Sequence, residues 1–231
     1  SVAAGVTIAA ASAIWSDAAR AQAQHGGHAI FGVGHGATSD TLSVTAAGNP
    51  YIQLLRASIR NKLVEVAPNG ELVPDLATEW EGSADATRWT FVLRDGVEFH
   101  NGKPLTTQDV IDSINLHRGE NNDSAGNAFA SAIADMTADG NTIVFTLNQP
   151  NADFPYYLST YFFQICPSED GEVDQMSGIG TGPYTLQGFD PGVQSSASKF
   201  ANYFRDDDGY FESIELLAVL DTAARSNALI S

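Results

Sequence analysis

The residues best suited to chemistry are three crowded histidines, in the row His25-Gly26-Gly27-His28 followed by His35. Imidazoles this close are the nitrogen donors that nickel, copper or zinc take. Their spacing fits no structural zinc pattern, and no cysteine or acid stands beside them, so no metal is assigned. Asp206-Asp207-Asp208-Gly209 offers the acids with which a calcium loop begins. The further spaced oxygen ligands and the twelfth-position glutamate are lacking, and the stretch reads as an exposed acidic turn. No paired acid and base and no Gly-x-Ser-x-Gly elbow can be read from the row. The glycines around Gly32 and Gly34 are not followed by the Lys-Ser/Thr pair of a phosphate loop, so no cofactor is implied.

Charge narrows the partners. Eleven lysines and arginines against 28 carboxylates give −17 at pH 7, which argues against nucleic acid. An acidic surface favours solubility and suits a cationic partner or a salty medium. The single Cys166 allows no internal disulfide and reads as a small buried hydrophobe. A chain of 231 residues suffices for one large or two small domains.

The elements that must position any site are clearest over 69–118. Trp89, Phe91 and Leu93 alternate with Thr90 and Val92, the mark of a strand with one face on a core. Asp95-Gly96 and Asn101-Gly102 supply two tight turns, with Val97 and Phe99 continuing the alternation between them. Thr106 and Asp109 resemble a capping box, and Val110, Ile111 and Ile114 give the helix behind it an apolar stripe. Ile52, Leu55, Ile59 and Leu63 fall at helical spacing after Pro50. Asp139-Gly140 turns a hairpin with Ile143, Phe145 and Leu147 inward. Phe154, Tyr157 and Leu158 belong to a short helix, and Tyr161 to Pro167 reads as a buried strand. Ala29 to Gly34 is expected as a first strand buried on both faces, and Ile214 to Leu220 as a buried parallel strand. Asp221 caps a further helix.

Ser1 to Ile14 is alanine-rich and uncharged, and Ala19-Arg20-Ala21-Gln22-Ala23 offers small-x-small cleavage positions. Residues 1–24 therefore resemble a secretory signal that lacks its basic start, which implies export, with mature protein beginning near Ala21 to His25. A short helix without a consistent face is the other reading. The run is too short and too weakly apolar for a membrane span.

The wording of the central unit adds more than its periodicity. Pro74-Asp75-Leu76-Ala77 with Trp80, then Leu93-Arg94-Asp95-Gly96-Val97, Phe99-His100-Asn101-Gly102 and Thr106 to Val110 form one connected pattern. Gly180-Thr181-Gly182-Pro183-Tyr184 forms a second. Together they resemble the bacterial extracellular solute-binding proteins of family 5, the oligopeptide, dipeptide and nickel receptors of ABC importers. The resemblance spans 29–231.

That resemblance implies an α/β fold, the type II (cluster C) periplasmic-binding-protein fold. The chain would supply mainly lobe I, with an inserted α+β subdomain and the second lobe missing. Subdomain Ia would comprise 29–47 and 148–231, and subdomain Ib 48–147. A peptide or similar small solute would be captured in the periplasm and passed to permease subunits in the membrane, by a monomer without catalysis. Ligand contacts carried over from the family fall on His35, Asp40, Thr41, Asn127, Phe129, Thr181, Gly182 and Tyr184. Pro74, Asp75, Leu76, Trp80, Arg94, Gly96, Phe99, His100, Gly102, Thr106 and Asp109 would be structural. Leu42-Ser43-Val44 departs from the family's usual Leu-Asp-Pro. Two other classes stay open, a receptor-derived sensor or scaffold domain and a hydrolase.

Overall fold

A computed structural model describes residues 25–223. The expected leader over 1–24 lies outside them, as does the helix expected after Asp221 beyond its start. In chain order the strands are β1 (His28–Val33), β2 (Val64–Val66), β3 (Leu72–Pro74), β4 (Ala77–Gly82), β5 (Arg88–Leu93), β6 (Ile133–Asp139), β7 (Thr142–Leu147), β8 (Ser168–Glu169), β9 (Glu172–Val173), β10 (Tyr184–Asp190), β11 (Gln194–Lys199) and β12 (Ser213–Ala218). The helices are α1 (Pro50–Ile59), α2 (Thr107–Asn115), α3 (Asn127–Ala130) and α4 (Phe154–Leu158). Two four-stranded sheets result, in the orders β1-β12-β11-β10 and β4-β5-β7-β6.

The second sheet is antiparallel throughout, and its register follows from alternation. Phe91 pairs with Trp80 on one side and Ile143 on the other, and Phe91, Phe145 and Leu147 enter the core. The rings of Phe91 and Phe145 meet edge to face at 5.4 Å, an arrangement aromatic quadrupoles favour. Trp89 points the same way but is only half-buried, and its Nε1 donates to the Asn151 carbonyl at 3.1 Å. Gly96, Gly102 and Gly140 all adopt positive φ, which glycine reaches without strain. The 97–99 stretch is a buried turn-flanked segment with a single bridge, Glu98 to Pro104, in place of a full strand.

The box at α2 is complete: Thr106 Oγ1 accepts from the Asp109 N–H, and Asp109 accepts from the Thr106 N–H. Asp109 is also fully buried and ion-paired with Lys103 at 2.6 Å. It further accepts from the Ser168 N–H at 2.7 Å, which ties the β8–β9 hairpin to the helix start.

The first sheet corrects two expectations. β1 pairs in parallel with β12 but lies at the sheet edge, with Ile30 58% and Phe31 40% exposed. It is not buried on both faces: Phe31 shares the face of Leu216 on which α1 packs, whereas Ile30 lies on the opposite face, beside Glu215. β12 likewise buries one face, through Ile214 and Leu216, while Leu220 beyond it is exposed. A third correction concerns Tyr161 to Pro167. The run is buried from Phe162 onward but forms no strand. Its backbone is satisfied piecemeal, Ile165 N–H by the Asn61 carbonyl and Cys166 N–H by Ser113 Oγ. Burial pushes the Cys166 thiol pKa up.

Within the span 48–147, α1 packs on the first sheet through Tyr51, Ile52, Leu55 and Ile59 against Leu216. Within 148–231, Phe154, Leu158, Phe163 and Ile165 enter the core of the second sheet.

Candidate ligand-binding loops

The loop after β1 anchors through the buried Leu42 and Val44 and gathers polar side chains around them. Asp40 holds its shape by accepting from the Ala37 N–H at 2.9 Å and from Asn49 Nδ2 at 2.6 Å. Asn49 in turn caps α1, its Oδ1 accepting from the Tyr51 and Ile52 N–H groups. From the buried face of α1, Arg56 donates to the Thr41 carbonyl twice, at 3.1 and 2.7 Å, and to the Ala46 carbonyl at 3.0 Å. Arg60 donates to the Leu42 carbonyl at 2.8 Å and the Gln175 carbonyl at 2.9 Å. Burial, with the neighbouring Arg60 charge, lowers the Arg56 pKa to about 10.

Those bonds bring loop 41–47 against loop 174–177. Ser43 Oγ donates to Gln175 Oε1 at 2.6 Å, and Thr41 Oγ1 meets the Met176 sulfur at 3.7 Å. A third loop joins them, since the Ala125 N–H donates to the Thr45 carbonyl at 2.9 Å. His117 lies beneath that third loop, fully buried, with Nδ1 on Ser124 Oγ and its ring edge-on to Phe163. Burial lowers its pKa to about 4, so it is neutral. Asn127 donates to the His117 and Gly119 carbonyls, and Phe129 packs on Tyr157 and Phe162.

A separate clamp surrounds the Gly180–Gly182 turn. The His100 N–H donates to the Gly180 carbonyl, and His100 Nδ1 accepts from the Gly180 N–H at 3.3 Å. Nε2 therefore carries the proton and donates to the Gly182 carbonyl at 3.0 Å. Burial holds the His100 pKa below its ordinary value. A Cβ at Gly180 or Gly182 would collide with the Ile59 main chain. Thr181 Oγ1 donates to Asn61 Oδ1 at 3.0 Å, and Asn61 Nδ2 donates to Asp75 Oδ1 at 2.9 Å. Asp75 is fully buried, and desolvation raises its pKa to about 7. Arg94 Nε donates to the Asp75 carbonyl, which locks the two hallmark segments together.

Of the residues expected to touch a ligand, the structure gathers Asp40 and Thr41 at the convergence of loops. Asn127 and Phe129 adjoin it, and His35 is exposed on the preceding stretch. Thr181, Gly182 and Tyr184 are buried, with Tyr184 Oη accepting from the Phe211 N–H, so the clamp spends them internally. Arg56, Arg60, Ser43, Gln175 and Met176 went unnoticed in the sequence. The two arginines had a signal: they stand four apart within the apolar stripe of a helix, where a charged residue needs a reason. Among the described residues no three potential metal ligands gather. His28 meets Ser213 Oγ at 2.8 Å, and His25 packs on the Tyr210 ring.

These features define an α/β fold in which loops 41–47, 122–127 and 174–177 are brought together. The family described as bacterial extracellular solute-binding proteins, family 5 Middle, matches residues 71–231. The chain belongs to that family. It is 31% identical over 146 residues to the nickel-binding periplasmic protein of Escherichia coli K12, covering 60% of this chain and 28% of that one. To the dipeptide-binding protein of the same organism it is 28% identical over 172 residues, covering 62% and 32%. The binding protein AgaA of A. tumefaciens R10, solved with agropinic acid, superposes with a TM-score of 0.79 at 25% identity, covering 88% of this chain and 42% of that one. The chain thus spans about a third or less of the length of these curated relatives.

Proposed function

We propose that this chain contributes one wall of the substrate-binding component of an ABC importer, working in the periplasm. The observation that carries this reading is the convergence of loops 41–47, 122–127 and 174–177, joined by Ser43–Gln175 and Ala125–Thr45. Around the buried Leu42 and Val44 they gather Ser43, Thr45 and Gln175 into a polar cluster, within a family of solute-binding proteins. The solute is a peptide or a similarly sized polar molecule, read through main-chain groups that tolerate varied side chains. Closure of a second wall over it would favour the form that docks on the permease, by as much as the ligand prefers the closed state. The role needs no chemical step. Calorimetric titration of the chain with a pool of tri- to pentapeptides tests the reading. A ligand on one open wall keeps much of its surface in water, so a Kd on the order of 1 mM is expected. Turnover of ester, amide or phosphate substrates by the chain would replace this reading with a hydrolase.

A further inference from the structure

Arg56 and Arg60 stand one helical turn apart, 1% and 2% exposed, and neither meets a carboxylate within 4.0 Å among the described residues. A buried guanidinium ordinarily takes an acid as partner, because an unpaired charge in the interior is costly. Here every partner is a main-chain carbonyl: Thr41, Leu42 and Ala46 in one loop and Gln175 in the other. Arg60 Nε has no hydrogen-bond partner among the described residues.

The consequence lies in the peptide planes. The described peptide bonds are all trans, and in a trans peptide the C=O and the following N–H point in opposite directions. Drawing the Thr41 and Ala46 carbonyls inward turns the Leu42 and Ala47 N–H groups away from the arginines. Neither N–H takes a partner among the described residues, while the Thr45 carbonyl is already taken by Ala125. Among the described residues the Thr41, Leu42, Thr45 and Ala46 carbonyls of this loop are engaged, whereas of its N–H groups only that of Ser43 is, by Thr41 Oγ1, so donors are left over. The nearby carboxylates do not answer them. Asp40 is engaged by Ala37 and Asn49, and Asp174 by the Met176 and Ser177 N–H groups. Surplus donors fit a group that only accepts, as an ionised carboxylate does.

We propose that Arg56 and Arg60 are positioning residues that make loop 41–47 a donor surface for a carboxylate, either of a small organic acid or of a peptide's C-terminus. The inference rests on the binding role proposed above. It predicts that the ligand's acidic group, rather than its amine, faces this wall.

The test uses the 15N-labelled chain titrated with trialanine, trialaninamide and succinate, beside Arg56→Lys and Arg60→Lys. Lysine keeps the charge but loses the fork that spans two carbonyls. Trialanine should shift the Leu42 and Ala47 amides saturably, and trialaninamide should bind about tenfold more weakly, as losing a charged hydrogen bond costs. A succinate response at the same two amides, as strong as trialanine's, assigns a small acid; a weaker one assigns a peptide terminus. In the lysine variants the preference for acid over amide should fall from about tenfold toward onefold. A merely structural arginine would weaken both ligands alike and leave that ratio intact, which overturns the proposal. Hydrogen exchange of the 42–47 amides without ligand separates the two levels. Faster exchange in the variants, with no shift from trialanine or succinate in the parent, removes the binding role of the loops and the proposal with it. Unchanged exchange and an unchanged ratio remove the positioning role alone. If Arg60→Lys does not fold, Arg56→Lys carries each comparison.

Discussion

The two sheets are stabilised in different ways. The second shares one cluster of twenty buried apolar side chains with α2, α4 and the 162–165 run, whereas the first has clusters of six and three. The hallmark wording over 74–110 thus supplies part of a core that is completed by residues from 63–64 and 114–165. The loops on the first sheet are instead held by polar tethers, Arg56 and Arg60 above all. Apolar packing fixes a shape without regard to what faces out. Polar tethers choose which backbone groups remain for a ligand, and this suits a wall that must bind.

The largest test of that contrast is Phe91→Ala. Phe91 is fully buried between Trp80 and Phe145, so its truncation should cost about 3–5 kcal/mol. Leu216→Ala, in the smaller cluster, should cost about 2–3 kcal/mol, at the low end for buried leucine because neighbours there can relax. Urea midpoints measure both. Equal losses would mean that the first sheet is packed as tightly as the second.

Asp109→Asn should come next, at about 2–3 kcal/mol. Removing one partner of a buried ion pair usually costs about 3–5 kcal/mol, but Lys103 is 31% exposed and can turn to water. Asparagine also keeps one oxygen for the Thr106 N–H. A loss below about 0.5 kcal/mol, within the range of ordinary surface changes, would show that the tether to Ser168 contributes little.

Trp89→Ala should be milder than its place on the inner face of β5 suggests. The ring is half-buried and lies over Gly82, with one hydrogen bond to Asn151. About 2 kcal/mol is expected, below the range for a fully buried aromatic. A urea midpoint unchanged from the parent would place the ring in solvent.

Where residue type forces conformation, the sequence was readable. Gly96, Gly102 and Gly140 demanded their turns, Thr106 and Asp109 their cap, and alternation the register of β5 and β7. Burial that depends on a neighbouring element was not readable. Ile30 and Phe31 look like core residues, yet they sit on opposite faces of an edge strand, and only the Phe31 face is shared with α1. The Tyr161–Pro167 run is buried, but its backbone partners are Asn61 and Ser113, far away in the chain. β11 escaped notice because Gln194-Ser195-Ser196-Ala197-Ser198-Lys199 has almost no apolar alternation; its partners on both sides define it. Asp40 and Thr41 were expected from the family wording, and the structure places them in the loop that Arg56 and Asn49 hold. Arg56 and Arg60 fall beside the apolar stripe of α1, but their partners, carbonyls of two separate loops, could not be read from the row.

Acid–base behaviour offers the finest test, because Asp75 and His117 titrate in opposite senses. Asp75 sits in the tether between the two halves, and its folded pKa is raised to about 7, against about 3.9 when unfolded. Its contribution is fully present below about pH 3.9 and is lost as pH rises through 7, because the folded chain holds a proton the unfolded one has released. His117 lies under the 122–127 loop with a folded pKa near 4, against about 6.5 unfolded. Its contribution is present above about pH 6.5 and is lost as pH falls through 4. Between about pH 4 and 6.5 the two slopes oppose each other, each worth at most about 1.4 kcal/mol per pH unit. In the parent they should nearly cancel, leaving only the drift of the exposed carboxylates. Asp75→Asn should unmask a stability that climbs with pH relative to the parent, and His117→Gln one that declines. Urea midpoints at half-unit steps from pH 4.5 to 6.5 give both difference profiles. A flat difference for Asp75→Asn would mean that Asp75 is ionised in the folded chain and that its bonds from Asn61 and Lys62 outweigh its burial.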